Sequence, residues 1–303
     1  MGFGPSYRQL KAEELARRAE TLMEALSYCT ICPHNCGVNR LKGERGFCRT
    51  GARAIVASFG PHFGEEPELV GWGGSGTIFF SFCNLRCVFC QNCELSYYGE
   101  GEEVTEEELA RIMLSLQERG CHNINLVSPS HVVPQIVAAI KIAADRGLNL
   151  PLVYNSGGYD KVETLQLLEG IVDIYMPDIK FGSNEMAEKY SGIKGYFDIV
   201  KAAVKEMHRQ VGILETDENG IARRGLIIRH LVLPEDLSRT QEVMNFIAQE
   251  ISPATYVNIM AQYFPAHFAR KFPELSRRIT RKEFLQALET AKKAGLTNTG
   301  RSG

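Results

Sequence analysis

Six short apolar runs, each followed by a helical stretch, constrain this chain more than any other feature. TIFFSF (77–82), NINLVS (123–128), PLVYNS (151–156), IVDIYMPDIK (171–180), GLIIRHLVLP (225–234) and TYVNIMAQY (255–263) read as strands. They are mostly apolar, as strands covered on both faces are. Between them the pattern turns helical. In TEEELARIMLSLQERG (105–120), Thr105 and Glu108 have the spacing of a capping box ahead of Leu109, Ile112, Met113 and Leu116 on one face. PQIVAAIKIAADRG (134–147) ends on a glycine. Helical patterns also cover YDKVETLQLLEG, the stretch up to Gln210, SRTQEVMNFIAQE and the final RKEFLQALETAKKAG. Apolar strands separated by helices imply parallel pairing through right-handed crossovers. Asn219-Gly220 marks a hairpin just before the fifth strand.

The fold expected is therefore α/β: a partial (β/α)6 TIM-like barrel carrying an N-terminal cysteine-rich extension. Residues 1–70 make the extension and 71–303 the barrel with its C-terminal helix. Leu15, Ala19, Leu22, Met23 and Leu26 give the extension an amphipathic helix. ARAIVAS (52–58) reads as a short strand, and the Gly- and Pro-punctuated 60–76 as loop. A net charge of −2 provides no broad footprint for nucleic acid or an anionic membrane. No apolar run approaches the length of a membrane span, and the charged N-terminus lacks the apolar core of a signal peptide. The expected location is the cytoplasm.

In parallel barrels, chemistry gathers at the C-terminal ends of the strands. Here those ends carry CNLRCVFC, VSPSH, NSGGYD, MPDIK, IIRHLVLP and AQYFP. The cysteines are clustered. Cys29, Cys32, Cys36 and Cys48 form one group, and Cys83, Cys87, Cys90 and Cys93 another; Cys121 opens a buried strand as a core thiol. In a cytosolic protein such clusters indicate metal rather than disulfides. The spacing C-x3-C-x2-C-x2-C in one loop fits structural zinc poorly, since zinc ligands usually come as two pairs across a longer spacer. Four cysteines on a closed iron–sulfur cluster would make an electron-transfer or sensor protein. Three would leave one iron open. The first group suits structural zinc and an auxiliary cluster alike.

Cys83, Cys87 and Cys90, with Phe89 before the last of them and the loop directly after the first barrel strand, resemble the radical SAM superfamily. CNLRCVFCQN together with DIYMPDIKF and IRHLVLP looks most like the branch related to the pyruvate formate-lyase activating enzyme. CTICPHNCGVNRLKGERGFCRTG resembles the N-terminal CxxCPxxC segment of one part of that branch. The resemblance implies that Cys83, Cys87 and Cys90 hold a 4Fe-4S cluster whose fourth iron takes S-adenosylmethionine (SAM). It implies reductive SAM cleavage to a 5′-deoxyadenosyl radical for hydrogen abstraction, with glycyl-radical-enzyme activation as the narrower activity. Asp178 and Lys180 match a D-x-K that contacts the methionine part of SAM, and Arg229 an arginine that reaches its carboxylate. Asn155 and Ser156 stand where the activating enzyme has Asp-Thr-Asn-Gly. Ser128 and Ser130, in Ser-Pro-Ser-His, stand where the family has Gly-Gly-Glu. The implied partners are SAM, a low-potential electron donor such as flavodoxin or ferredoxin, and a protein substrate. No residue is assigned a direct catalytic role. By strand alternation His230 faces away from Arg229, and Trp72 is expected to cover the barrel.

Overall fold

The computed structural model of the protein describes residues 4–300. Its strands are β1 (Ala54–His62), β2 (Ser75–Phe80), β3 (Glu102–Val104), β4 (Ile124–Val127), β5 (Leu152–Ser156), β6 (Ile174–Pro177), β7 (Glu215–Thr216), β8 (Ala222–Leu231), β9 (Tyr256–Met260) and β10 (Thr299–Gly300). The six expected strands are β2, β4, β5, β6, β8 and β9. Each pairs in parallel with the next. Their order across the sheet follows their order in the chain, so every crossover steps in the same direction. That winding curls a sheet into a barrel, whereas a doubly wound sheet reverses its order. The barrel is unclosed, with β10 at one edge and β3 at the other. The α/β expectation of a partial barrel holds. The Asn219-Gly220 hairpin joins β7 to β8 in antiparallel pairing.

The N-terminal helix α1 (Ala12–Glu24) buries Leu15, Ala19 and Leu22. Two differences from the sequence reading lie in the segment after it. The strand expected over 52–58 continues to His62, because it pairs antiparallel with β2 along that length. The 60–76 stretch is not only loop: Pro67 opens a single turn, α2 (Pro67–Val70), whose Leu69 is fully buried. Leu69 packs with Val153, Ile174, Met176, Ala222 and Ile227, side chains from the inner face of the barrel. The turn therefore fills space that a closed barrel would fill with its own strands.

After the short turn α3 (Cys93–Ser96) comes α4 (Glu106–Glu118), with the capping box in place. Glu108 N–H donates to Thr105 Oγ1 at 3.2 Å, and Thr105 N–H donates to Glu108 Oε2 at 2.8 Å. Thr105→Ala is expected to cost about 1 kcal/mol, read as a lower urea midpoint at unchanged slope. An unchanged midpoint would mean the cap contributes nothing. Next comes α5 (Val133–Asp145), against which α1 packs. One continuous apolar core links α1 to the barrel helices, so the extension docks on the barrel. Helices α6 (Val162–Leu167), α7 (Asn184–Ser191), α8 (Tyr196–Val211), α9 (Thr240–Phe246) and α10 (Arg281–Lys293) complete the outer layer. Among the described residues no helix is long and apolar enough to cross a membrane.

Candidate functional site

A cavity of about 410 Å³ opens where the strands end. Its thiol side begins at Phe82, which takes a left-handed backbone, φ 66°, two residues after the end of β2. The turn is held from both sides. Phe82 N–H donates to Leu95 O at 2.9 Å, and a Cβ at Gly99 would lie 2.3 Å from the Phe82 ring, so only glycine admits that packing. Past the turn, Val88 N–H donates to Tyr190 O at 2.8 Å. Phe89 is buried edge-on against Phe181 and Tyr263, with centroids 5.9 and 5.8 Å away. The aromatic before the last cysteine is thus an anchor that fixes the loop to the helical layer.

Cys83, Cys87 and Cys90 all border the cavity, while Cys93, at the start of α3, does not. Burial pushes the Cys83 thiol up to about 11 and the Cys87 thiol higher still. Thiols in that state ionise when a metal takes the proton's place. Three cysteines on one anchored loop suit the ligation of an iron–sulfur cluster. Among the described residues no three His, Cys, Asp or Glu side chains converge at the spacing of a single ion. A cluster is wider than an ion and takes each thiolate on a separate iron, so its three ligands need not converge on one point.

The opposite wall is polar. Arg229 Nε donates to Asp178 Oδ1 at 2.7 Å, Nη2 to Asn155 Oδ1 at 2.7 Å, and Nη1 to Glu65 Oε2 at 3.1 Å. Lys180 Nζ pairs with the other Asp178 oxygen. Burial alone would raise the Asp178 pKa, but the Arg229 and Lys180 cations outweigh it and hold the carboxyl below its ordinary value. Burial alone would lower Lys180; the Asp178 charge reverses this and holds Lys180 above its ordinary value. Glu65 moves the other way: burial raises its pKa despite the cation of Arg229. Glu65 escaped the sequence reading because its GEEPELV context reads as loop. The available signal was Pro67 followed by an apolar Leu69, a helix start that has to enter the core.

Ser128 and Ser156 also border the cavity. Ser128 has a left-handed backbone, φ 59°. The Ser156 hydroxyl donates to Asp160 Oδ2 at 2.6 Å, and Tyr154 OH donates to the other oxygen at 2.9 Å. Burial raises the pKa of Asp160, an acid the sequence reading passed over. Ser130 is buried and is not among the residues that border the cavity; it lies against Asp160 and Tyr154. His230 points into the helical layer, with Nδ1 on Ile179 O and Nε2 on Thr240 Oγ1. Trp72 is exposed and meets His122 edge-on, at the barrel end away from the cavity. It covers no part of the site.

Cys29, Cys32, Cys36 and Cys48 border a second, much smaller cavity of about 10 Å³, together with Arg40 and His131. The two cysteine groups seen in the sequence thus border two different cavities. The buried Cys121 contributes to neither.

Residues 77–246 match the model of the Radical SAM superfamily. An uncharacterised protein of Methanocaldococcus jannaschii is 36% identical over 295 residues, which cover 95% of this chain and 81% of that protein. Another uncharacterised protein of the same organism is 24% identical over 275 residues, covering 81% and 71%. Among solved structures, Streptococcus suis SuiB aligns at 12% identity and a TM-score of 0.49, over 74% of this chain and 47% of that one. This chain therefore spans about half the length of SuiB. HydG, a maturase of the [FeFe]-hydrogenase, aligns at 12% identity and a TM-score of 0.49, over 96% of this chain and 64% of that one.

Proposed function

The chain belongs to the Radical SAM superfamily, and from that premise we propose that its large cavity binds SAM beside a 4Fe-4S cluster held by Cys83, Cys87 and Cys90. The cluster, when bound, supplies the electron that cleaves SAM reductively to methionine and a 5′-deoxyadenosyl radical, which abstracts a hydrogen atom from the substrate. The chain's own residues bind, orient and keep water out. The observation that carries the reading is that the three thiols and the Asp178–Lys180–Arg229 group border one cavity.

Arg229 has five N–H donors, and its bonds to Asp178, Asn155 and Glu65 use three. The remaining two suit the SAM carboxylate, and the fixed guanidinium presents them with little entropy left to lose. Asp178 keeps Arg229 and Lys180 charged and oriented. Asn155, Ser156 and Ser128 supply polar edges for the nucleoside and the amino group. Leu85, Leu231 and Met260 make apolar wall, which strengthens each polar contact by excluding water. The substrate we favour is a protein, with a backbone glycine Cα–H as the hydrogen donor, as in glycyl-radical-enzyme activation. A low-potential flavodoxin or ferredoxin is the matching electron donor. This rests on the resemblance of CNLRCVFCQN, MPDIK and IRHLVLP to the activating enzymes.

The test is anaerobic reconstitution with iron and sulfide, reduction with dithionite and incubation with SAM. Time-dependent 5′-deoxyadenosine, measured by mass spectrometry, is the expected result. A reconstituted, iron-loaded protein that releases none would overturn the reading.

A further inference from the structure

We propose that Cys29, Cys32, Cys36 and Cys48 hold a single zinc ion, and that this site braces the loop carrying Cys83, Cys87 and Cys90. The ion site rests on the N-terminal residues alone. The bracing role rests also on the reading of the large cavity.

All four cysteines border one small cavity of about 10 Å³. That is room for about one water-sized body, which a single ion fills with a smaller displacement of the lining than a cubane of iron and sulfide needs. Four soft thiolates around one small space select zinc among common ions. The thiols stand farther apart than the ligands of a bound ion, so loading pulls them inward and releases their protons.

The surroundings already suit a negatively charged site. Arg40 is 1% exposed, and among the described residues no carboxylate pairs with it. Its acceptors are Gly51 O at 2.9 Å, His131 O at 2.8 Å and, more distantly, Cys29 Sγ at 3.9 Å. A buried guanidinium without a counter-charge is costly. Zinc bound by four thiolates carries two net negative charges and supplies one. Two further buried atoms on this cavity, Arg40 Nη2 and His131 Nδ1, have no hydrogen-bond partner. Phe47 N–H donates to Cys36 Sγ at 3.4 Å, a backbone amide aimed at sulfur. Gly46 permits that approach, because a Cβ there would lie 2.7 Å from Cys36 Sγ.

Three contacts tie this segment to the cluster loop. His34, between Cys32 and Cys36, meets Asn84 O through Nε2 at 2.9 Å. Arg86 donates to the carbonyl of Phe47, which precedes Cys48, at 2.7 Å. His131, whose carbonyl binds Arg40, meets Ser81 O through Nε2 at 2.9 Å, two residues before Cys83. His34 also stacks on Phe47 at 3.8 Å. Fixing the four thiols fixes the residues that hold the carbonyls of Ser81 and Asn84.

The test counts zinc and iron in the anaerobically reconstituted full chain and reads the zinc shell by X-ray absorption. Wild type is expected to hold one zinc with a four-sulfur shell at about 2.3 Å beside the irons of one cluster. The triple variant Cys83→Ser/Cys87→Ser/Cys90→Ser keeps the zinc and loses the iron; iron retained there without zinc overturns the proposal, and iron retained beside the zinc overturns the reading of the large cavity. The double variant Cys32→Ser/Cys48→Ser loses the zinc. Wild type with a second cluster's iron and no zinc overturns the proposal, as does zinc with a nitrogen–oxygen shell or zinc that survives in the double variant. Chelating zinc from folded wild type is expected to speed iron loss in air several-fold. An unchanged rate overturns the bracing role and leaves the ion site standing on the metal counts.

Discussion

Cys87→Ala is expected to give a folded protein that is nearly colourless after reconstitution and releases 5′-deoxyadenosine only at background, whereas Cys93→Ala keeps both colour and activity. Cys87 is the most buried of the three loop thiols, and burial holds its sulfur protonated until a metal displaces the proton. Removing one ligand of three leaves an iron without its anchor, so the loss is close to complete. Cys93 heads α3 outside the cavity, and its replacement removes no ligand. The comparison also separates a cluster with an open iron from one closed by four cysteines, since the closed form makes Cys93 as costly as Cys87. Iron content, visible absorption and the thermal midpoint are read on the same samples. The fold survives Cys87→Ala because Phe89, Val88 N–H and Phe82 N–H anchor the loop independently of the sulfur.

Much of this was legible in the sequence, and the residues show why. The six strands carry a continuous apolar signal because each is covered on both faces, and their C-terminal ends follow from parallel pairing. The cysteine loop is a local spacing after a strand, so the place of Cys83, Cys87 and Cys90 on the cavity at the strand ends can be read without knowing any distance. Short pieces whose shape depends on distant partners were not legible. β3 is three residues long with two glutamates, and it is a strand because β1 lies beside it. Glu65 looks like a loop acid, and only the open barrel, which lets α2 inside, brings it to Arg229. Ser130 was expected at the site by its place after a strand. Ser128, with its left-handed backbone, borders the cavity while Ser130 is buried against Asp160, and nothing in SPSH marks which serine takes which place. The extension's contact with the cluster loop runs through backbone carbonyls, which leave no trace in side-chain spacing.

Arg229→Met is expected to lower stability by about 3–5 kcal/mol near pH 7.5, with a deficit that shrinks as the pH falls. Arg229 neutralises two carboxylates in the cavity wall, and their side chains are only 16% and 8% exposed. Asp178 keeps Lys180 when the guanidinium is gone; Glu65 keeps no ion-pair partner. Burial already raises the Glu65 pKa in the wild type, and loss of the Arg229 charge raises it further. A carboxyl whose folded pKa lies above its unfolded value of about 4.3 costs nothing below that unfolded value, and its cost grows as the pH rises from there to the folded pKa. The variant therefore regains stability on acidification from neutral pH toward the ordinary carboxylate range. Asp178 acts in the same direction: the Arg229 charge is the largest influence holding its pKa down against burial, so the variant keeps only Lys180 for that task. Urea unfolding of Arg229→Met and of Glu65→Gln/Arg229→Met at pH 7.5 and 5.5 separates the terms. The double variant is expected to recover most of the loss at pH 7.5 and to show little of the pH dependence. A deficit that grows on acidification, or a double variant no more stable than Arg229→Met, would show that Glu65 is not the stranded charge. SAM affinity, measured on the same proteins, is expected to fall in both variants, because removing Glu65 restores the balance of charge but not the donors that face the SAM carboxylate.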